Sequence, residues 1–114
     1  MKIQVRARNV ELNEVLRAHV DRRLSLALGR FAERIDKVVV RFMPAVGGGS
    51  VAQKRCRIEV GLRPRPVTVE DTDADVFAAV DRATDRLARS VARALERERV
   101  IAAVVTPTTA GTKE

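Results

Sequence analysis

The residues best equipped for chemistry in this chain are arginines. Arg82, Arg86, Arg89, Arg93 and Arg97 recur at helical spacing through a stretch that also holds Phe77, Val80, Leu87, Val91 and Leu95. Counted from Phe77 at about 100° per residue, the arginines fall between about 120° and 200° and the apolar set between about 280° and 360°. A helix here buries one face and presents five permanent positive charges on the other. A guanidinium stays charged at physiological pH, and its planar fork matches phosphate oxygens, so the chemistry is recognition of an RNA or DNA backbone. Most charge runs are only solvated helix faces, and Asp81 and Asp85 stand at spacings suited to pairing with Arg86 or Arg89. Those acids lie at about 40° and 80°, nearer the apolar flank, which leaves the outward face basic. Arg22, Arg23 and Arg30, on an earlier helix, extend the candidate surface.

Other chemistry finds little footing. The chain has one histidine, His19, and one cysteine, Cys56. Two such residues cannot make a zinc site, and their spacing from Ser25, Ser50 or Ser90 suggests no activated nucleophile. His19 flanks the core side of its helix and reads as a packing residue. Asp71, Asp73 and Asp75 have the opening spacing of a calcium loop, but Val76 and Arg82 occupy the positions that need Gly and Glu, so helix capping is expected instead. The run Gly47-Gly48-Gly49-Ser50 lacks the Gly-Lys-Ser/Thr of a phosphate-binding loop and reads as a linker. No enzyme, cofactor, metal or small-molecule substrate is expected.

Composition sets the frame. A chain of 114 residues makes one domain with a single core. Its 22 Lys+Arg against 15 Asp+Glu leave a net charge of +7, which argues for a polyanionic partner. At 46% hydrophobic residues it is too apolar for a disordered basic tail. The lone Cys56 excludes an internal disulfide and fits a reducing compartment. The opening residues alternate apolar and polar, unlike a signal peptide or a membrane span, so a cytoplasmic domain without membrane contact is expected.

The elements that must position the arginines follow from periodicity. Ile3, Val5 and Ala7 alternate with polar residues as a half-buried strand. Asn13 is a candidate N-cap for a helix marked by Leu16, Val20, Leu24, Ala27 and Phe31, with Gly29 near its end. A β-branched strand over 35–43 is closed by Pro44. The glycine run then makes a loose hairpin to a strand over 55–62, and Arg63-Pro64-Arg65-Pro66 turns the chain into a short strand over 67–70. Asp71–Asp75 opens the long helix, from about Asp73 to Glu98. The order β-α-β-β-β-α predicts a two-layer α+β domain, a four-stranded sheet with two helices on one face, like a double-stranded RNA-binding domain. Outward sheet positions are basic too (Lys2, Arg6, Arg8, Lys37, Arg41, Arg55, Arg57) and offer a second nucleic-acid surface. The chain has no Trp or Tyr, and Phe31, Phe42 and Phe77 fit core positions, so the sheet offers no aromatic platform for base stacking and backbone recognition of folded RNA fits better. Residues 106–114, rich in Thr, Pro and Gly, read as disordered.

The segment Asn9-Val10-Glu11-Leu12-Asn13-Glu14-Val15-Leu16-Arg17 resembles the start of the ribosome hibernation-promoting factor family, also called ribosome-associated inhibitors or sigma-54 modulation proteins. Asp75-Val76-Phe77-Ala78-Ala79-Val80-Asp81 resembles that family's D-M-Y-A-A-I-D approach to the final helix, with Phe in place of Tyr. The similarity covers roughly residues 1–98 in matching element order. It implies a ribosome-binding domain over 1–99 and a partly disordered tail over 100–114. It further implies a factor that occupies the mRNA and tRNA channel of the small ribosomal subunit in stationary phase or stress, touching 16S rRNA and acting on the 70S ribosome. The family's basic helix positions correspond to Arg86, Arg89 and Arg93, with Arg82 on the same face and Arg23 on the first helix. Long members carry a second C-terminal domain, so this chain is expected to be a short form.

Two other readings stand beside this one. A general structured-RNA binder without ribosome specificity is compatible with the same layers. Val100-Ile101-Ala102-Ala103-Val104-Val105 is also an apolar run through which chains could assemble.

Overall fold

The first helix starts where its sequence says it should. Asn13 sits in extended conformation and its side-chain oxygen accepts a hydrogen bond from the Leu16 amide at 2.9 Å, satisfying one of the free amides of the first turn. In the computed structural model, which describes residues 1–45 and 52–113 and side chains through Val100, the elements are β1 (Lys2–Ala7), α1 (Glu14–Leu28), β2 (Ile35–Ala45), β3 (Gln53–Leu62), β4 (Val67–Asp73) and α2 (Val76–Lys113). A 3-10 segment, Gly29–Arg34, follows α1 and takes up Phe31. Gly29 holds ordinary right-handed helical angles (φ −54°), so the helix gives way to the tighter 3-10 coil rather than to a left-handed cap.

The strands lie in the order β1-β2-β3-β4. β1 and β2 are parallel, which requires a crossover, and α1 supplies it; the other two pairs are antiparallel. Register brings Ile3, Val38 and Val60 into one row and Val5, Val40, Ile58 and Val69 into the next. Side chains alternate across a strand, so these rows face one side. Leu16, Val20, Leu24 and Leu28 of α1 and Ala79, Val80, Ala83, Leu87 and Val91 of α2 join them in a single core. Each fully buried leucine or valine contributes about 1.5–3 kcal/mol relative to exposure, so this two-layer α+β core holds the arginine helix in place.

Several boundaries differ from the sequence expectation; β3 begins at Gln53, ahead of the expected 55. β2 continues through Pro44 to Ala45. β1 stops opposite Phe42, so at Pro44 the strand is paired on one side only and the missing amide disturbs no second ladder. β4 reaches Asp73, because Asp71 and Asp73 pair in register with Cys56 and Lys54. The helix therefore begins at Val76, with Asp75 accepting from the Phe77 amide at 2.9 Å. At its other end α2 runs to Lys113, so the division between a 1–99 domain and a 100–114 tail falls inside one helix. The Gly47–Ser50 linker lies outside the described residues, as do the side chains of 101–105.

Candidate nucleic-acid interface

All five stripe arginines are exposed on α2, as the wheel predicts. They are not equivalent. Arg82 donates from Nη2 to Asp73 Oδ2 at 2.7 Å and to the Thr72 carbonyl at 2.9 Å, and from Nε to Asp71 Oδ1 at 3.3 Å. Arg86 reaches the Glu70 carbonyl at 3.3 Å and Asp71 Oδ2 at 3.4 Å. These two arginines tie the helix to the end of β4. The Asp75 backbone amide, with Arg82 next, holds the Asp73 carboxyl below its ordinary value, while Asp73 and then Asp71 raise Arg82 above its own. The three aspartates expected only to cap the helix thus divide the work: Asp75 caps, while Asp71 and Asp73 anchor arginines.

Arg89, Arg93 and Arg97 are different. Among the described residues none of them makes an ion pair or a side-chain hydrogen bond. From Arg89 to Arg97 the helix rises about 12 Å, room for successive phosphates of one strand. Near the far end of the row, Arg63 and Arg65 of the β3–β4 connection join Arg97 around a depression of about 310 Å³, lined also by Leu62, Pro64, Ala94 and the carboxylate-bearing Glu98. Sequence reasoning treats that Arg-Pro-Arg-Pro stretch only as a turn. Its alternating cations were the available signal, but no spacing rule links them to Arg97.

Asp81 and Asp85, the acids nearest the start of α2, turn toward α1. Asp81 and Asp85 pair with Arg23 of α1, at 3.3 and 2.9 Å, and not with Arg86 or Arg89 as their helical spacing suggests. Helix packing brings α1 alongside that flank and offers a better-placed partner. Arg23 also donates to the Asp81 carbonyl and to Thr84 Oγ1, the one buried polar side chain among the described residues, which returns its own hydroxyl to the Val80 carbonyl at 2.8 Å. His19 makes a 2.7 Å hydrogen bond with Asp81 and packs edge-on against Phe77 with ring centroids 5.1 Å apart, an interhelical packing residue as expected. Of the three α1-side candidates, Arg23 is engaged in holding the helices together. Arg22 is exposed beside His19, and Arg30 lies over the Phe31 ring at 4.6 Å.

Cys56 lies fully buried under the sheet, and burial, with the nearby Asp71 charge, pushes its thiol up to about 12. The thiolate needed for nucleophilic or metal chemistry is therefore absent at neutral pH. No described helix is long and apolar enough to cross a membrane.

Two helices backing a four-stranded sheet, with a row of exposed arginines along the second helix, define a two-layer α+β domain. Comparison with known proteins gives this class a family. The family described as "Sigma 54 modulation protein / S30EA ribosomal protein" matches residues 3–99, and the chain belongs to it. It is 28% identical over 88 residues to the ribosome hibernation promotion factor of Deinococcus radiodurans, covering 77% of this chain and 46% of that protein. The chain thus spans about half the length of the curated relative it matches. Among solved structures, it is similar to the N-terminal domain of Thermus thermophilus Protein Y, with TM-score 0.63 and 32% identity over 82% of this chain and 98% of that one. A ribosomal subunit interface protein from Coxiella burnetii shares the fold, with TM-score 0.70 at 17% identity over 84% of this chain and 99% of that one. The family is one of ribosome factors and not of enzymes, as the sequence reading expects.

Proposed function

We propose that this domain binds the small ribosomal subunit and occupies the channel used by mRNA and tRNA, holding ribosomes idle in the cytoplasm during stationary phase or stress. The observation that carries the reading is the unpaired row Arg89, Arg93 and Arg97 on a rigid helix, in a chain of this family. Arg82 and Arg86 keep N–H groups free for phosphate while their acidic partners hold them in position. Arg22 and Arg30 flank the surface; Arg23 supports it from beneath. Contact is with the 16S rRNA backbone, in the isolated subunit and in the 70S ribosome. The activity is occupancy: a wedge fixed by arginine–phosphate bonds excludes the normal ligands, and no covalent bond changes.

Sedimentation through sucrose with 30S, 50S and 70S particles at near-physiological salt tests this. The expected result is stoichiometric migration with 30S and 70S but not 50S, reversed by tRNA with mRNA. Equal, unsaturating association with every particle and with any duplex RNA would leave a structured-RNA binder without ribosome specificity.

A further inference from the structure

The sheet face turned away from the helices is covered by no element among the described residues. Register places Arg6, Arg41 and Arg57 side by side in one row across three strands, with Glu70 completing it on β4. Neighbouring strands stand about 4.8 Å apart, so three guanidinium-bearing residues fall within about 10 Å. Like charges directly opposite each other across strands are unfavourable. Glu59 relieves part of that repulsion, lying 3.5 Å from Arg41 Nε and 3.2 Å from Arg57 Nε, the latter without hydrogen-bond alignment. Arg57 also approaches Glu70 at 3.6 Å. Arg6 and Arg8 have no acidic partner among the described residues; Arg6 contacts only the Gln4 side-chain oxygen, at 3.2 Å. With Arg41 they line a depression of about 250 Å³ at the β1–β2 end of this face.

A folded domain that keeps cations abreast on an uncovered sheet gains if an anion covers them. We propose that this open face is a second RNA-backbone surface, centred on Arg6, Arg8 and Arg41. It lies on the opposite side of the domain from the α2 row, so that one domain bridges two RNA segments. Charge complementarity selects the occupant. No aromatic residue stands on this face, so bases have nothing to stack on and the sugar-phosphate backbone is the part recognised. The inference rests on the ribosomal reading only for where the two segments are found.

The test uses the full chain with two 20-base-pair RNA duplexes, one carrying a donor dye and one an acceptor. The wild type should bring them together, giving energy transfer at stoichiometric protein. Arg6→Glu/Arg8→Glu/Arg41→Glu should still bind one duplex through α2 but lose the transfer. On small subunits it should weaken binding about tenfold or more and lower the log–log salt slope by about 2 to 3. Because Arg41 touches Glu59, Arg6→Gln/Arg8→Gln serves as a second variant that leaves that contact intact; it should lose most of the transfer. Transfer and salt slope unchanged in both variants would overturn the proposal. So would binding of these arginines to phosphatidylserine vesicles without any duplex bridging, which would make the face a membrane surface. Bridging of duplexes with no preference for small subunits would instead overturn the ribosomal reading and leave this one standing.

Discussion

Arg82 and Arg86 share a helical face with Arg89, Arg93 and Arg97, yet the two halves of the row do different jobs. The first half lies beside the end of β4, where Asp71 and Asp73 accept its hydrogen bonds. The second half runs past Asp71 and Asp73 and makes no ion pair among the described residues. An arginine already paired to carboxylate offers less net charge to a phosphate but holds its geometry. An unpaired one offers full charge and releases counterions when it binds. Identical residues at identical spacing thus become a buttress at one end and an anion contact at the other.

The strongest way to break this contrast is to reverse the free half. Arg89→Glu/Arg93→Glu/Arg97→Glu should reduce small-subunit binding about a hundredfold or more near physiological salt, and lower the salt slope by about 3. Thermal unfolding should be nearly unchanged, since no described contact is lost. Binding retained at wild-type strength would move the interface elsewhere. Next in size is Arg23→Ala, which removes the bonds to Asp85, Asp81 and Thr84. Its side chain is 29% exposed and its acidic partners more so, so solvent screening holds the expected destabilisation to about 1 kcal/mol in urea unfolding. Ribosome binding should follow only through stability.

A smaller effect separates the clamped half. Arg82→Ala should lower the melting temperature measurably while leaving the salt slope closer to wild type than the triple reversal does. The same variant sharpens the pH dependence. The Asp73 carboxyl titrates lower when folded than when unfolded, so its stabilising contribution is complete above the unfolded value, about 3.9, and is lost as pH falls through the lowered folded value. Urea midpoints measured from pH 5 down to pH 2 should therefore fall less steeply for Arg82→Ala. They should not become flat, because the Asp75 amide still favours the ionised carboxyl. The smallest effect is expected at Cys56: a thiol-directed reagent at pH 7.5 should label the native protein only as fast as it unfolds, and Cys56→Ala should bind ribosomes normally.

Much of the fold is legible residue by residue. The alternation of Ile3 and Val5 and the β-branched run Val38–Val40 mark strands, and Asn13 marks a helix start, because local sterics and capping act within a few residues. The missed boundaries all involve distant partners. Asp71 and Asp73 look like helix-opening acids, and only pairing with Cys56 and Lys54 on β3 makes them strand. At the site, exposure of all five arginines follows from the helical wheel. The partition between Arg86 and Arg89 does not, nor does the capture of Asp81 and Asp85 by Arg23, 58 and 62 residues away in sequence.

By itself the sequence determined the two-layer architecture, the net charge of +7 and the helix face on which five cations stand, since period and charge are properties of the chain alone. Tertiary structure decided which of those cations are free. Ion pairing depends on distances of a few ångströms between side chains that packing brings together, and no spacing along the chain encodes that β4 runs beside the first three turns of α2 and leaves Arg89, Arg93 and Arg97 without an ion pair among the described residues.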